Sequence, residues 1–259
     1  MILKKNILIT ASLVLALSSC NDKKKENTDS KEVIQNESKM ETNSNSPLDS
    51  LLNIKKEEFS KKASEEKKQI YADGLADVKN SGILDKALNV GDKAPNFTLK
   101  NALNKPVSLY DELKNGPVIL TWYRGGWCPY CNITLNFLQE KLPEFKKAGA
   151  TLIALTPEKP DKSLSTTEKN KLEFTVLSDL DNKIGKEYGV VFTLTKGVAS
   201  IYEEAFGLSD FNGNKDNELP LAATYVIDKN GIIQYAFLDE DYRKRAEPNE
   251  VIKAVEKLK

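Results

Sequence analysis

Two of the three cysteines in this 259-residue chain lie in the segment Trp127-Cys128-Pro129-Tyr130-Cys131. The apolar run Val118 to Tyr123 precedes this segment, and the amphipathic stretch Asn132 to Phe145 follows it. This order predicts a dithiol at the junction between a buried strand and the start of a helix. Unpaired backbone N–H groups and the positive end of the helix dipole stabilise a thiolate at such a junction. The motif therefore constrains the chemistry as well as the fold.

The chain contains no histidine. This excludes Ser-His-Asp and Cys-His nucleophiles, His-ligated zinc and haem bound by a proximal His. A C-x-x-C pair can form half of a zinc site, but the third cysteine, Cys20, belongs to a separate targeting motif, so further ligands are missing. A cuprous ion held by both thiolates remains an alternative. We expect thiol chemistry without a metal or a cofactor.

The N-terminus has the features of a bacterial lipoprotein signal. Lys4 and Lys5 precede the uncharged run Ile7 to Leu17, which predicts a signal peptide over residues 1–19. The sequence Leu17-Ser18-Ser19-Cys20 resembles a lipobox, in which the cysteine becomes lipidated. We therefore expect Cys20 to anchor the protein to a bacterial membrane in the cell envelope, with the domain outside the cytoplasm. The alternative is an ordinary cleaved signal that leaves Cys20 as a free thiol.

Residues 20–47 are polar and poor in large apolar side chains, which predicts a disordered tether. Residues 48–89 are predicted to form a helical extension, because Ile70, Leu75 and Val78 recur at near-helical spacing. The Lys- and Glu-rich part before Ile70 predicts a solvated helix. Basic and acidic residues balance at 38 each, so nothing indicates a nucleic-acid partner.

From residue 90 to 259, short apolar runs alternate with helical segments, which predicts βαβ units around a buried sheet. The sequence Ser165-Thr166-Thr167-Glu168 has the form of a capping box and predicts the start of a helix. Asn230-Gly231 predicts a tight hairpin, and Pro248 predicts the first turn of a closing helix. We expect an α/β, thioredoxin-like fold with a central mixed β-sheet flanked by helices. The stretch from Thr195 to Leu219 fits either an inserted loop or a short helix near the site.

The residues around the dithiol are expected to determine the position, the acidity and the exposure of its sulfurs. If the strand ends near Tyr123, Cys128 occupies the N-cap and Pro129 the first helical position. Arg124 either lowers the pKa of the Cys128 thiol or pairs with a surface carboxylate. Trp127 either shields the sulfur or packs in the core. Helix geometry favours Cys128 as the more exposed sulfur.

Several motifs carry a family resemblance that spans roughly residues 65 to 259. The chain resembles the alkyl hydroperoxide reductase/thiol-specific antioxidant branch of the thioredoxin superfamily, specifically peroxiredoxin-like members with a C-x-x-C pair. The matching segments are Val90-Gly91-Asp92-Lys93-Ala94-Pro95-Asn96-Phe97-Thr98-Leu99, Tyr123 to Cys131, Pro160 to Ser165, Ala223 to Asp228, and Asp241-Tyr242-Arg243.

This resemblance implies a thiol-dependent antioxidant peroxidase of the thioredoxin-dependent peroxiredoxin type. Such an enzyme reduces hydroperoxides through a Cys128–Cys131 disulfide and is restored by an external dithiol donor such as a thioredoxin-like protein. A protein thiol-disulfide oxidoreductase that uses the same pair is an alternative. A module that binds a cuprous ion or a partner is another alternative, from a different class.

The resemblance leaves the order of attack open. Aligned with thioredoxins, Cys128 attacks and Cys131 resolves, whereas aligned with peroxiredoxins, Cys131 meets the peroxide and Cys128 resolves. The arginine of the peroxiredoxin pattern falls near Ala222, which is not an arginine. The candidate site therefore consists of the two cysteines and the residues expected to shape their surroundings, which are Tyr123, Arg124, Trp127, Pro129, Tyr130 and Ala222.

Overall fold

A computed structural model describes residues 46–259 of the protein. The predicted signal peptide over residues 1–19, the predicted lipidation site Cys20 and most of the predicted tether over residues 20–47 lie outside the described residues. Between residues 46 and 259, no helix combines the length and the apolar character needed to cross a membrane.

The chain alternates helices and strands from residue 90 onward, after a helical N-terminal part. The helices are α1 (Pro47–Lys62), α2 (Glu65–Asn80), α3 (Ile83–Lys86), α4 (Leu109–Leu113), α5 (Pro129–Ala148), α6 (Pro160–Lys169), α7 (Lys183–Glu187), α8 (Lys196–Phe206), α9 (Leu208–Asn212) and α10 (Pro248–Glu256). The strands are β1 (Thr98–Lys100), β2 (Pro106–Ser108), β3 (Val118–Trp122), β4 (Thr151–Thr156), β5 (Thr175–Ser178), β6 (Val191–Thr193), β7 (Glu218–Pro220), β8 (Thr224–Ile227) and β9 (Ile233–Phe237).

The main sheet has five strands in the order β5-β4-β3-β8-β9. Strands β3, β4 and β5 are parallel, while β8 runs antiparallel to both β3 and β9. The register pairs Val118 with Thr151 on one side and with Ile227 on the other. Two small antiparallel pairs, β1-β2 and β6-β7, lie outside this sheet. The predicted thioredoxin-like fold with a central mixed sheet is confirmed.

Both faces of the sheet are covered, which explains why every residue of β3 is buried. Side chains alternate between the faces of a strand. Ile119 accordingly packs in a cluster with α1, α5 and α10, whereas Val118 and Leu120 pack in a second cluster with α3, α4 and α7. The apolar run that looked like a fully buried strand therefore forms the centre of a three-layer core.

Helix α1 differs from the solvated helix that we predicted. It begins at Pro47, one residue before the predicted boundary, because the Ser46 hydroxyl accepts the Asp49 N–H at 3.1 Å. Leu48 and Leu52 are buried in the cluster that contains the apolar face of α5. A single apolar stripe therefore attaches a mostly charged helix to the domain.

The prediction of a helix start at Ser165 is wrong. Helix α6 already begins at Pro160, and the hydroxyls of Ser165 and Thr166 donate to the carbonyls of Asp161 and Lys162 one turn earlier. Hydroxyls with this bonding pattern lie within a helix, where they cannot cap its first amides. Proline at the first helical position set the boundary instead.

Three other predictions have clear outcomes. The segment Asp228 to Gly231 joins β8 to β9 as predicted, although only Gly231 has a positive φ, of 78°. The closing helix α10 begins at Pro248 as predicted. The unassigned stretch from Thr195 to Leu219 contains α8, α9 and part of β7, so the short-helix alternative is confirmed.

Candidate active site

Cys128 is the N-cap of α5, Pro129 is its first residue, and Cys131 lies in its first turn. This placement was predicted from the spacing of the motif. Proline is tolerated at this position because the first amides of a helix have no intrahelical acceptor. The Cys128 N–H donates to Gly125 O at 3.0 Å, which closes the turn that leads from β3 into α5.

The turn before Cys128 is packed too tightly for any side chain at Gly126. A Cβ atom on this residue would lie 2.0 Å from Thr166 Oγ1. Asn132 holds the turn from the other side, since its Nδ2 donates to Gly126 O at 2.8 Å and to Cys128 O at 3.0 Å. The Gly126 N–H donates to Glu158 Oε1 at 2.8 Å. Polar groups from α5 and from the loop after β4 thus hold the turn of the chain that leads into the dithiol.

Both cysteines are free thiols and both are only 1% exposed. The prediction that Cys128 protrudes is therefore wrong. The neighbouring Trp127 and the distant Tyr242 pack against the apolar cluster that contains the two cysteines, so the N-cap position is buried. Pro129, between the cysteines, is the exposed residue of the motif.

Arg124 is 1% exposed, and its surroundings resolve the alternative that we left open. Its Nη1 lies 4.0 Å from Cys128 Sγ, and its Nη2 donates to Tyr202 Oη at 2.8 Å. The guanidinium also lies over the rings of Trp127, Tyr202 and Tyr242, with the last centroid 4.2 Å away. Arg124 is therefore a buried cation beside the dithiol and not a surface arginine that pairs with a carboxylate.

Trp127 belongs to an aromatic group contributed largely by α8. Its ring stacks on Phe206 at 5.2 Å between centroids and tilts against Tyr202 at 5.0 Å. Tyr130, on the other side of the motif, meets Tyr242 edge to face at 5.6 Å. Burial raises the pKa of Tyr130 to about 12, so this phenol stays protonated at neutral pH. These rings limit access to the sulfurs, and Trp127 both packs and shields.

A second guanidinium lies beside the other sulfur. Arg245 Nη2 donates to Cys131 Sγ at 3.3 Å, while Nη1 donates to Lys244 O at 2.8 Å and to Tyr242 O. Arg245 is 8% exposed. In the part of the chain from residue 46 onward, neither Arg124 nor Arg245 forms an ion pair with a carboxylate. The sulfurs are thus the groups best placed to balance these two charges.

The two thiols differ in acidity because of this arrangement. Burial opposes ionisation of Cys131, but the hydrogen bond from the Cys128 thiol and the charges of Arg245 and Arg124 outweigh it. The pKa of Cys131 is therefore held well below its usual range. Burial and the neighbouring Cys131 sulfur raise the pKa of Cys128. The 3.3 Å contact with Arg245 and these pKa directions favour a thiolate on Cys131 over one on Cys128.

The domain that carries this dithiol is similar to known proteins. The description "AhpC/TSA family" matches residues 90–236, which is more than half of the chain. The chain belongs to the AhpC/TSA family. The resemblance predicted from its motifs is confirmed at this level.

Two relatives show the kind of AhpC/TSA protein to which this chain is similar. It is 31% identical to the chloroplastic peroxiredoxin Q of Sedum lineare over 169 residues, which cover 65% of this chain and 78% of the relative. It is also 31% identical to the chloroplastic peroxiredoxin Q of Triticum aestivum over 179 residues, which cover 69% and 72% of the two chains.

Solved structures share the AhpC/TSA fold at low identity. The peroxidoxin BcpB of Mycobacterium tuberculosis superposes with a TM-score of 0.53 at 18% identity, over 66% of this chain and 99% of that protein. A peroxiredoxin-like protein from Aquifex aeolicus gives a TM-score of 0.53 at 19% identity, over 66% and 88%. At these identities the likeness concerns the fold alone.

The AhpC/TSA match ends at residue 236, and part of the site lies beyond it. Tyr242 and Arg245 both follow β9, while Ala222, where the peroxiredoxin pattern has an arginine, is buried in the segment between β7 and β8. The cation beside Cys131 is thus supplied from a different place in the chain. Arg245 was not predicted from the sequence, although it lies two residues after Asp241-Tyr242-Arg243. Arg243 itself pairs with Asp241 at 2.7 Å.

Two further residues near the dithiol are not among the predicted site residues. Tyr202 lies in α8, whose structure we had left open. Glu158 follows β4, and a polar residue at the carboxyl end of a parallel strand is a signal that could have found it.

The predicted site residue Tyr123 is 3% exposed and packs in the same cluster as the cysteines. Within residues 46–259, no three His, Cys, Asp or Glu side chains lie close enough together to hold a metal ion.

Proposed function

We propose that this protein is a C-x-x-C peroxiredoxin in which Cys131 attacks the hydroperoxide and Cys128 resolves the product. Membership of the AhpC/TSA family and the peroxiredoxin relatives identify a thiol-dependent peroxidase. The observation that carries the assignment of roles is the 3.3 Å contact between Arg245 Nη2 and Cys131 Sγ. A cation at this distance stabilises the thiolate, which is the attacking form.

The cycle starts from a Cys131 thiolate and a Cys128 thiol. The thiolate attacks one peroxide oxygen, the O–O bond breaks, and the products are a sulfenic acid on Cys131 and an alkoxide that takes up a proton. The Cys128 sulfur then displaces the hydroxyl of the sulfenic acid, so that water leaves and the Cys128–Cys131 disulfide forms. Residues at this spacing in the first turn of a helix can be bridged with modest adjustment.

An external dithiol of the thioredoxin type completes the cycle. Its thiolate attacks the disulfide, and the second donor thiol releases the reduced pair while the donor becomes oxidised. Because both sulfurs are 1% exposed, a small peroxide reaches them more easily than a folded protein disulfide does. The external dithiol must also reach these sulfurs, so the AhpC/TSA match and the peroxiredoxin relatives are what favour the peroxidase over a protein thiol-disulfide oxidoreductase.

The test is to follow hydroperoxide loss and insulin-disulfide reduction by the full-length protein and by Cys128→Ser and Cys131→Ser variants. We expect Cys131→Ser to abolish peroxide consumption altogether. Cys128→Ser should still consume about one equivalent of peroxide and accumulate a sulfenic acid on Cys131. The reverse pattern would exchange the roles of the two sulfurs. Activity on insulin without peroxide loss would refute the peroxidase.

We also propose that Cys20 carries the lipid that holds the protein at a bacterial membrane, with the domain outside the cytoplasm. The support is the sequence Leu17-Ser18-Ser19-Cys20 after an uncharged run. Radiolabelled palmitate should be incorporated into the wild-type protein expressed in bacteria and not into a Cys20→Ser variant. Equal labelling of both proteins, or of neither, would refute the anchor.

A further inference from the structure

A small cavity lies beside Arg124, between α2 and α8. Leu75 and Val78 of α2 line one side of it, and Val198 of α8 lines the other. Arg124 forms part of its wall. The cavity measures about 20 Å³, which is room for one or two water-sized molecules. Its volume therefore limits what can enter.

Arg124 joins this cavity to the dithiol. Its Nη1 lies 4.0 Å from Cys128 Sγ, and its Nη2 donates to Tyr202 Oη at 2.8 Å. Its Nε is buried and, within residues 46–259, has no hydrogen-bond partner. A buried donor without a partner is costly, so a molecule with an accepting oxygen is favoured beside it. Because both sulfurs are only 1% exposed, a peroxide that reaches them has to pass through internal space of this kind.

The charges around the cavity favour a neutral occupant. Among the described residues that line it, Glu240 in the segment after β9 is the single carboxylate and Arg124 is the single cation. An anionic molecule would be repelled by the carboxylate, and a cationic one by the guanidinium. Hydrogen peroxide is neutral, its oxygens accept hydrogen bonds, and it is only slightly larger than water. It therefore fits the volume, the charge and the unpaired donor of the cavity.

The two helices that wall the cavity are in close contact. A Cβ atom on Gly74 would lie 2.7 Å from Val198 Cγ2, and a Cβ atom on Gly197 would lie 2.9 Å from Ile70 Cγ2. Glycine at both positions lets α2 and α8 approach each other. Because tightly packed side chains have little room to move aside, the cavity stays narrow.

We propose that this cavity is the docking site for hydrogen peroxide and that its width excludes organic hydroperoxides from the dithiol. The Arg124 guanidinium donates to a peroxide oxygen, while Leu75 and Val198 set the size limit. This inference rests on the proposed peroxidase cycle and names the substrate class of the same site. With hydrogen peroxide, the oxygen displaced by the Cys131 thiolate leaves as hydroxide and takes up a proton to become water. The rest of the cycle is unchanged.

Helix α2 gives this size limit to the present chain in particular. It ends at Asn80, before the start of the region that matches the AhpC/TSA description at residue 90. One wall of the cavity therefore lies outside the shared part of the chain.

The test compares the rate constants for oxidation of the reduced full-length protein by hydrogen peroxide, tert-butyl hydroperoxide and cumene hydroperoxide. Stopped-flow mixing follows each reaction, and dithiothreitol oxidised by the same peroxides corrects for their different intrinsic reactivity. We expect a corrected preference for hydrogen peroxide of at least about 10-fold. Leu75 is half-buried, so Leu75→Ala should widen the cavity near solvent and reduce this preference at least about 5-fold.

Leu84→Ala is the matched control. Leu84 in α3 is also half-buried but does not line the cavity, so this variant should keep the wild-type preference. If Leu75→Ala does not fold, Val198→Ala on the opposite wall provides the second variant, with the same expected loss of preference.

Equal corrected rates with the three peroxides would overturn the proposal. A preference that persists unchanged in Leu75→Ala and Val198→Ala would overturn it as well, because the cavity would then not set the limit. Both results leave the peroxidase in place. Failure to consume any of the three peroxides would instead refute the peroxidase cycle itself, and this inference with it.

Discussion

The reactivity of the dithiol depends on which guanidinium lies nearer to each sulfur. Arg245 Nη2 donates to Cys131 Sγ at 3.3 Å, whereas Arg124 Nη1 lies 4.0 Å from Cys128 Sγ. The Nη2 of Arg124 donates to the Tyr202 hydroxyl instead. A hydrogen bond between opposite charges is shorter and stronger than one between neutral groups. With the two guanidinium groups placed differently, the same C-x-x-C motif would give the two sulfurs a different order of acidity.

Replacing Arg245 by methionine should raise the pKa of Cys131. An opposite charge at this distance shifts a pKa by about 1 to 3 units, so the midpoint of the pH profile for peroxide consumption should move upward by about that amount. Arg243→Met is the control, because Arg243 pairs with Asp241 and donates to no sulfur. Stopped-flow measurement of the reaction with peroxide between pH 5 and pH 9 gives the midpoint. An unchanged midpoint in Arg245→Met would contradict the assignment of Cys131 as the attacking thiolate.

Residues close together in the sequence were the predictable part of the site. The N-cap position of Cys128 and the first-turn position of Pro129 follow from local spacing, because a helix start is defined by a few adjacent residues. Arg245 lies 114 residues from Cys131, and its approach depends on the path of the chain after β9. No local pattern specifies such a contact. The exposure of Cys128 was mispredicted in part for the same reason, since Tyr242, which packs against the cluster of the cysteines, is also distant in the sequence.

Among the elements, α1 shows how little apolar surface is needed to fix a charged helix. Leu48 and Leu52 are one turn apart and both are buried in the cluster with α5. The adjacent Leu51 points away from this face and is 44% exposed. The helix was expected from its Lys- and Glu-rich composition, but its attachment was not, because two apolar residues do not stand out in such a segment.

Leu52→Ala should lower the free energy of unfolding by about 2 to 4 kcal/mol, since it removes buried methyl groups and leaves a cavity. Leu51→Ala, one residue away, should change it by less than about 0.5 kcal/mol because that side chain is largely in solvent. Chemical denaturation of both variants measures the difference. Equal effects of the two substitutions would show that α1 does not pack on the domain in solution.

At the scale of the whole molecule, the pattern of short apolar runs was sufficient to predict the central sheet. Each run in β3, β4 and β8 is buried on both faces, which makes it visible as a continuous apolar segment. Strands β6 and β7 are three residues each, and neither is fully buried. Their pairing joins residues about 27 positions apart around α8 and α9, which no periodicity reveals.

The opposite shifts of the two thiols predict how the stability of the reduced protein depends on pH. Below the ordinary thiol pKa of about 8.5, the unfolded chain holds a proton that folded Cys131 has lost, so stability rises as the pH increases toward that value. Above it, folded Cys128 keeps a proton that the unfolded chain loses, so stability falls. We expect a maximum near pH 8.5.

Urea denaturation of the reduced protein at a series of pH values measures this profile. The Cys128→Ser, Cys131→Ser double variant, which has no thiol at the site, should lack the contribution of the pair. The difference between the two proteins isolates it from the titration of other groups. A difference that does not vary with pH would be inconsistent with the opposite shifts.

The segment after β9 completes the site from outside the region matched by the family. Residues 90–236 contain both cysteines and the sheet that presents them, whereas Arg245 and Tyr242 lie downstream. The same segment also places Val251 and Val255 of α10 in the core, so it contributes both to the scaffold and to the acidity of the thiol. A substitution at Arg245 alone would therefore remove the nearest counter-charge of the nucleophile while the sheet that carries it stays in place.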